Sequence, residues 1–91
     1  MVFVYPAIFY KDEDGLYKGG CPDLEGTYGE GETLDDAIEE CNEMVYDWIY
    51  TELTEGGMLP GISDPDDFVL KEGEIVRNIS VNIRFTDGWD E

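Results

Sequence analysis

The sequence predicts an α+β domain with the element order β-β-β-α-β, in which one main helix packs on a single sheet. Three stretches carry that expectation. Residues 2–10 are β-branched or aromatic at nearly every position, residues 34–53 place apolar side chains at helical spacing, and residues 75–85 alternate apolar with polar. A chain of 91 residues supports one hydrophobic core and not two, so the three stretches belong to one domain. The apolar share of 42% is that of a folding chain despite the excess of acidic residues. No internal repeat is visible.

Because residues 2–10 are apolar on both faces, the first strand is placed in the middle of the sheet with both faces covered. Pro6 cannot donate to a strand ladder and is assigned to a bulge or an unpaired position. Lys11 to Gly15 forms a polar turn with Asp-Gly at its tip, and Leu16-Tyr17-Lys18 begins the returning strand of a hairpin. The segment Cys21-Pro22-Asp23-Leu24-Glu25-Gly26 breaks the pattern. Thr27-Tyr28 reads as a short third strand, followed by Gly29-Glu30-Gly31.

Thr33 is the natural cap of the helix, with acidic Asp36 three residues on and the positive end of the helix dipole beside it. Leu34, Ala37, Ile38, Cys41, Met44, Val45, Trp48 and Ile49 then recur at i, i+3, i+4 and i+7, so one face packs on the sheet. Gly56-Gly57 stops the helix. Residues 58–67 are a connector rich in Pro, Gly, Ser and Asp, where Ser63 or Asp64 can cap a single turn starting near Pro65. Ile75, Arg77, Ile79, Val81, Ile83 and Phe85 share one face of a half-buried last strand. A strand entering after a crossover helix can return parallel to its neighbour, so a right-handed parallel connection to the first strand is expected.

The chain carries 23 Asp plus Glu against 5 Lys plus Arg, a net charge of −18. That charge repels phosphate backbones and anionic lipid, which argues against direct nucleic-acid or membrane partners and in favour of a basic protein. No stretch approaches the ~18 to 20 apolar residues of a membrane span, and no basic segment follows Met1, so a cytoplasmic location is expected. Cys21 and Cys41 lack the spacing of a zinc motif and the chain has no His, so both are read as ordinary thiols. The missing His also removes Ser-His-Asp and Cys-His catalysis. Asp12, Asp14 and Gly15 resemble the start of a calcium loop, but the distal Glu is not at EF-hand spacing. A two-metal nuclease needs carboxylates converging from strand ends, whereas Asp12, Asp14 and Asp23 fall in turns. Gly19-Gly20, Gly29-x-Gly31 and Gly56-Gly57 match no phosphate-binding loop and are read as turn glycines. No enzymatic activity, no cofactor and no metal site is expected.

The informative feature is the outer side of the helix. Asp35, Asp36, Glu39, Glu40, Glu43 and Asp47 occur there with no Lys or Arg between Leu34 and Leu53. They form i, i+4 pairs of like charge (35 with 39, 36 with 40, 39 with 43, 43 with 47), each costing about 0.2 to 0.5 kcal/mol in an isolated helix. A helix selected for stability alone would interleave Lys, so these six residues are the candidate partner-binding site.

Four segments carry a family resemblance: Tyr5-Pro6-Ala7-Ile8-Phe9, the acidic hairpin tip ending in Asp14-Gly15, Pro22-Asp23-Leu24-x-Gly26, and Gly31-Glu32-Thr33-Leu34-Asp35-Asp36-Ala37. In order and spacing they resemble the HicB family of antitoxins. The resemblance implies a truncated, partial RNase H-like domain over residues 1–85, followed by a short acidic C-terminal tail at 86–91. It further implies an antitoxin without nuclease activity that neutralises a small basic toxin of the HicA type, an mRNA-cleaving enzyme, by direct contact. Family members commonly continue into an operator-binding domain; this chain ends at Glu91, so DNA binding is not carried over. Cys21 and Glu25 stand where the family has an aromatic or apolar residue and a proline. The competing reading is a stand-alone acidic interaction or regulatory module with an unrelated partner. Because one helix cannot cover both faces of a four-stranded sheet, a homodimer or higher homo-oligomer is also expected, which light scattering distinguishes from the 10.3 kDa monomer.

Overall fold

A computed structural model describes residues 1–83; Arg84, Phe85, Trp89 and the acidic tail at 86–91 lie outside the described residues. The order is β1 (Val2–Lys11), β2 (Tyr17–Gly20), β3 (Gly29–Gly31), α1 (Leu34–Thr54), a 3-10 turn (Pro65–Asp67) and β4 (Ile75–Asn82). The four strands form one sheet in the order β3-β2-β1-β4, with every neighbouring pair antiparallel. This α+β arrangement, one helix packed on a four-stranded sheet, is the predicted one. No helix among the described residues is long and apolar enough to cross a membrane.

The parallel return of the last strand is not what forms. β4 runs antiparallel to β1, with Phe3 opposite Val81, Tyr5 opposite Ile79 and Phe9 opposite Ile75. The reason lies in residues 55–74, which carry the chain back along the molecule before β4 begins. Two contacts hold this connector to the domain. The Tyr5 hydroxyl donates to the Pro60 carbonyl at 2.7 Å, and the Asp23 carboxylate accepts from the Ser63 amide at 2.8 Å and from its hydroxyl. The 3-10 turn is capped by Asp64, whose side chain accepts from the Asp66 amide.

Pro6 sits in an unbroken ladder. Met1 and Ile83 exchange both backbone bonds, Ile83 N to Met1 O at 2.8 Å and the terminal ammonium to Ile83 O at 3.0 Å. The odd-numbered residues of β1 are therefore the hydrogen-bonded partners of β4, and residue 6 directs its nitrogen to the other side. On that side β2 pairs only with Ile8 to Lys11, so no ladder bond is lost.

The core follows the pleat. Tyr5, Ala7 and Phe9 of β1 and Ile79, Val81 and Ile83 at β4 are buried against Ala37, Cys41, Val45 and Ile49 of α1. Full burial of Val45 or Ile49 stabilises the fold by about 1.5 to 3 kcal/mol each. Contrary to the expectation of two covered faces, Val2, Val4 and Tyr10 are exposed on the opposite face, where only Pro6 is buried and Ile8 half-buried. A single helix covers a single face.

The third strand also differs from expectation. It is Gly29–Gly31 and not Thr27-Tyr28, so Gly29 and Gly31 are strand residues beneath the helix and not turn glycines. A Cβ on Gly29 would strike the Ala37 carbonyl oxygen and the Cys41 amide nitrogen, and one on Gly31 would strike Asp36 and the Ala37 amide. The glycines let helix backbone lie directly on strand backbone. Gly19 and Gly20 likewise belong to β2. Gly56, with φ of 76°, ends α1 as predicted.

Candidate functional site

The first turn of α1 forms as its sequence dictates. Thr33 is in extended conformation and its hydroxyl accepts from the Asp36 amide at 3.1 Å. From this fixed start, the rotation of about 100° per residue sets every later side chain. Ala37, Cys41, Val45 and Ile49 point inward. Asp36, Glu39, Glu43 and Asp47 lie on the opposite side, and Asp35 and Glu40 fall on its two flanks.

All six predicted carboxylates are exposed on this one helix. The single ion pair among the described residues is elsewhere, between Lys18 and Asp12 at 2.7 Å, so none of the six is neutralised by a neighbouring cation. The six are not equivalent. Glu40 accepts from the Glu30 amide at 3.1 Å and so ties α1 to β3. On the other flank Asn42 donates to the Ser80 carbonyl at 2.9 Å, fixing α1 against β4. The free part of the acidic face is thus Asp35, Asp36, Glu39, Glu43 and Asp47.

The described side-chain cations all lie off the helix, Lys11, Lys18 and Arg77 on the sheet and Lys71 in the connector before β4. Lys18 holds the Asp12 carboxyl below its usual pKa, helped by the Leu16 amide, and the Lys18 ammonium is raised in turn by its hydrogen bond to Asp12. Lys11 stands 5.7 Å from the centroid of the Tyr17 ring. Arg77 donates to the Val76 carbonyl at 2.9 Å. Lys11 and Lys18 belong to the hairpin and Arg77 to β4, which leaves the helix face uniformly negative. Cys21 and Cys41 are both buried, and the Cys21 thiol is pushed up by its hydrogen bond to Cys41 and by burial. That environment suits a core thiol at Cys21.

Two features of the helix surface escape the charge pattern. Tyr46 and Tyr50, 37% and 39% exposed, stack at 6.1 Å between ring centroids with 12° between planes. They occupy the outer side after Glu43, so the acidic row passes into an aromatic patch. Their i, i+4 spacing is the available signal, but it lies off the buried line and the amphipathic pattern does not use it.

The second feature is a cleft of about 340 Å³ between α1 and the segment before β3, lined by Gly26, Thr27, Met44, Asp47, Trp48, Thr51 and Glu52. The Trp48 indole N–H donates to the Glu25 carbonyl at 3.0 Å, which fixes its ring as one wall. Asp47 is shared between the acidic face and this cleft.

The family model described as HicB_like antitoxin of bacterial toxin-antitoxin system matches residues 5–85. A UPF0150 protein of Synechocystis sp. is 40% identical over 35 residues, a match that takes in 38% of this chain and about half, 51%, of that relative. The N-terminal domain of the Burkholderia pseudomallei antitoxin HicB superposes with a TM-score of 0.77 at 27% identity, over 89% of this chain and 100% of that one. A chain of a HicA3 and HicB3 toxin-antitoxin complex superposes with a TM-score of 0.63 at 27% identity, over 84% of this chain and 94% of that one.

Proposed function

The chain belongs to the HicB-like antitoxin family of bacterial toxin-antitoxin systems, and from that premise we propose that it neutralises a small basic RNA-cleaving toxin by direct contact through the outer face of α1. One observation carries the reading. Six exposed carboxylates share one helix without a compensating cation among the described residues. The repulsion they impose is recovered when a basic surface is laid against them.

Charge supplies the encounter, and the neighbouring aromatics supply the anchor. Exposed, pre-stacked tyrosines lose little side-chain entropy on binding and are typical of the residues that dominate interface energetics. A rim of carboxylates around Tyr46 and Tyr50 therefore has the composition of a binding surface for a cationic protein. An antitoxin of this kind acts by covering its partner, so the site requires no reactive group.

Co-expression tests the proposal. The tagged chain, produced together with a small basic toxin of the HicA type, is expected to purify as a stoichiometric complex. Added to the isolated toxin, it is expected to halt RNA cleavage at equimolar ratio. Cleavage that continues unchanged under a molar excess of the chain would overturn the proposal.

A further inference from the structure

We propose that the cleft beside α1 is an anchor site for one arginine side chain of the basic partner, an inference that rests on the reading of the chain as a binder of a basic protein. Its lining combines an aromatic ring, apolar groups and acidic side chains, a set that suits a guanidinium group. Trp48, Met44, Gly26, Thr27 and Thr51 line it together with two acidic residues, Asp47 and Glu52, the Glu52 carboxylate lying beside Gly57 at the helix end. An arginine stem packs against the apolar wall, its planar head stacks on the indole, and its forked N–H groups pair with Asp47, with Glu52 adding negative charge nearby. Lysine offers the charge without the plane or the fork and fits less well.

Three observations set this cleft apart from the rest of the surface. The indole is held by its hydrogen bond to Glu25, so the wall exists before any ligand arrives. The volume of about 340 Å³ admits one extended side chain and not a helix, whose diameter is about 10 Å. The cleft also opens onto the acidic face through Asp47, so a partner lying on Glu39 and Glu43 presents its neighbouring side chains there. A second groove of similar size, bounded by Tyr10, Lys11, Lys71, Glu72, Gly73 and Glu74, has two lysines beside two glutamates and selects neither sign.

The test uses N-acetyl-arginine methylamide as probe, titrated into isotope-labelled protein and followed by the Trp48 indole and the Gly26 and Thr51 amide resonances. Saturable shifts confined to these groups are expected. They weaken with the lysine analogue, vanish with the norleucine analogue, and are lost in the Asp47→Asn, Glu52→Gln double variant. Shifts of equal size with norleucine, or none with arginine, would overturn the inference. In parallel, Thr51→Trp fills the cleft from an exposed helix position and is expected to weaken binding of the purified toxin by roughly ten- to thirtyfold. Unchanged toxin affinity in a folded Thr51→Trp protein, with wild type binding normally, would remove the anchor and leave the antitoxin reading standing. Failure of the wild type to bind the toxin would remove that reading, and the arginine titration would still decide whether the cleft accepts a guanidinium.

Discussion

Replacing Glu39 and Glu43 with lysine is expected to raise the thermal midpoint of the protein while slowing its association with the toxin by at least about tenfold at low salt. The two effects have one cause and opposite signs. In the wild type, residues 35 and 39, 39 and 43, and 43 and 47 are like-charge neighbours on exposed helix. In the variant the first and last of these pairs become attractive, and only the middle one stays repulsive. Each relieved pair removes about 0.2 to 0.5 kcal/mol of repulsion, and the gain is larger for positions 35 and 39, where the acid precedes the new base. For a domain of this size, about 1 kcal/mol moves the midpoint by roughly 4 to 8 °C. Circular dichroism melts and stopped-flow association measure the two quantities. A variant that melts earlier and binds as fast as wild type would mean that the carboxylates serve the fold and not the partner. Asp47 is left in place because it also borders the cleft.

Gly29→Val is expected to be strongly destabilising. The added side chain meets helix backbone, the Ala37 carbonyl and the Cys41 amide, and backbone cannot swing aside as a flexible side chain does. Overpacking of this kind costs about 1 to 3 kcal/mol and occasionally more, and a contact with main chain belongs at the upper end. α1 would have to lift from β3, exposing Cys41 and Val45 and loosening the Glu40 to Glu30 contact. Urea denaturation reads the loss as a lower midpoint, with Gly61→Ala as control, since nothing lies within 4 Å of a Cβ at Gly61. The control is expected within about 0.5 kcal/mol of wild type. Equal midpoints for Gly29→Val and wild type would contradict the close approach of helix and strand.

The elements with local signals are legible in the sequence. α1 announces itself through the Thr33 cap, the apolar period and Gly56, and each is decided within a turn or two of chain. The Asp-Gly hairpin and the 3-10 turn capped by Asp64 are equally local. β3 falls elsewhere than expected because Gly29 and Gly31 carry no strand propensity; they are in the sheet because α1 needs backbone contact there, which is a tertiary demand. The direction of β4 departs from expectation for a similar reason. Periodicity marks it as a strand, but its antiparallel entry is set by residues 55–74, which are tied down by Tyr5 and Asp23 from distant parts of the chain.

The candidate site divides in the same way. The acidic face follows from composition and helical rotation alone, and all six carboxylates do stand on the exposed side. That Glu40 is partly committed to β3 has no sequence signal, because it depends on where Glu30 lies. The cleft has none either. It is made by Gly26 and Thr27 meeting a helix that begins several residues later, and Trp48 enters the sequence pattern only as a core residue.

The ionic-strength dependence of the association rate between wild-type protein and purified toxin tests the account most directly. A carboxylate face that steers a basic partner acts over about a Debye length, which contracts from roughly 30 Å at 0.01 M salt to about 8 Å at 0.15 M. The association rate constant is therefore expected to fall steeply across that range while the dissociation rate changes far less. A rate constant that stays flat near the ~10⁵ to 10⁶ M⁻¹s⁻¹ of unsteered protein pairs at every salt concentration would contradict it.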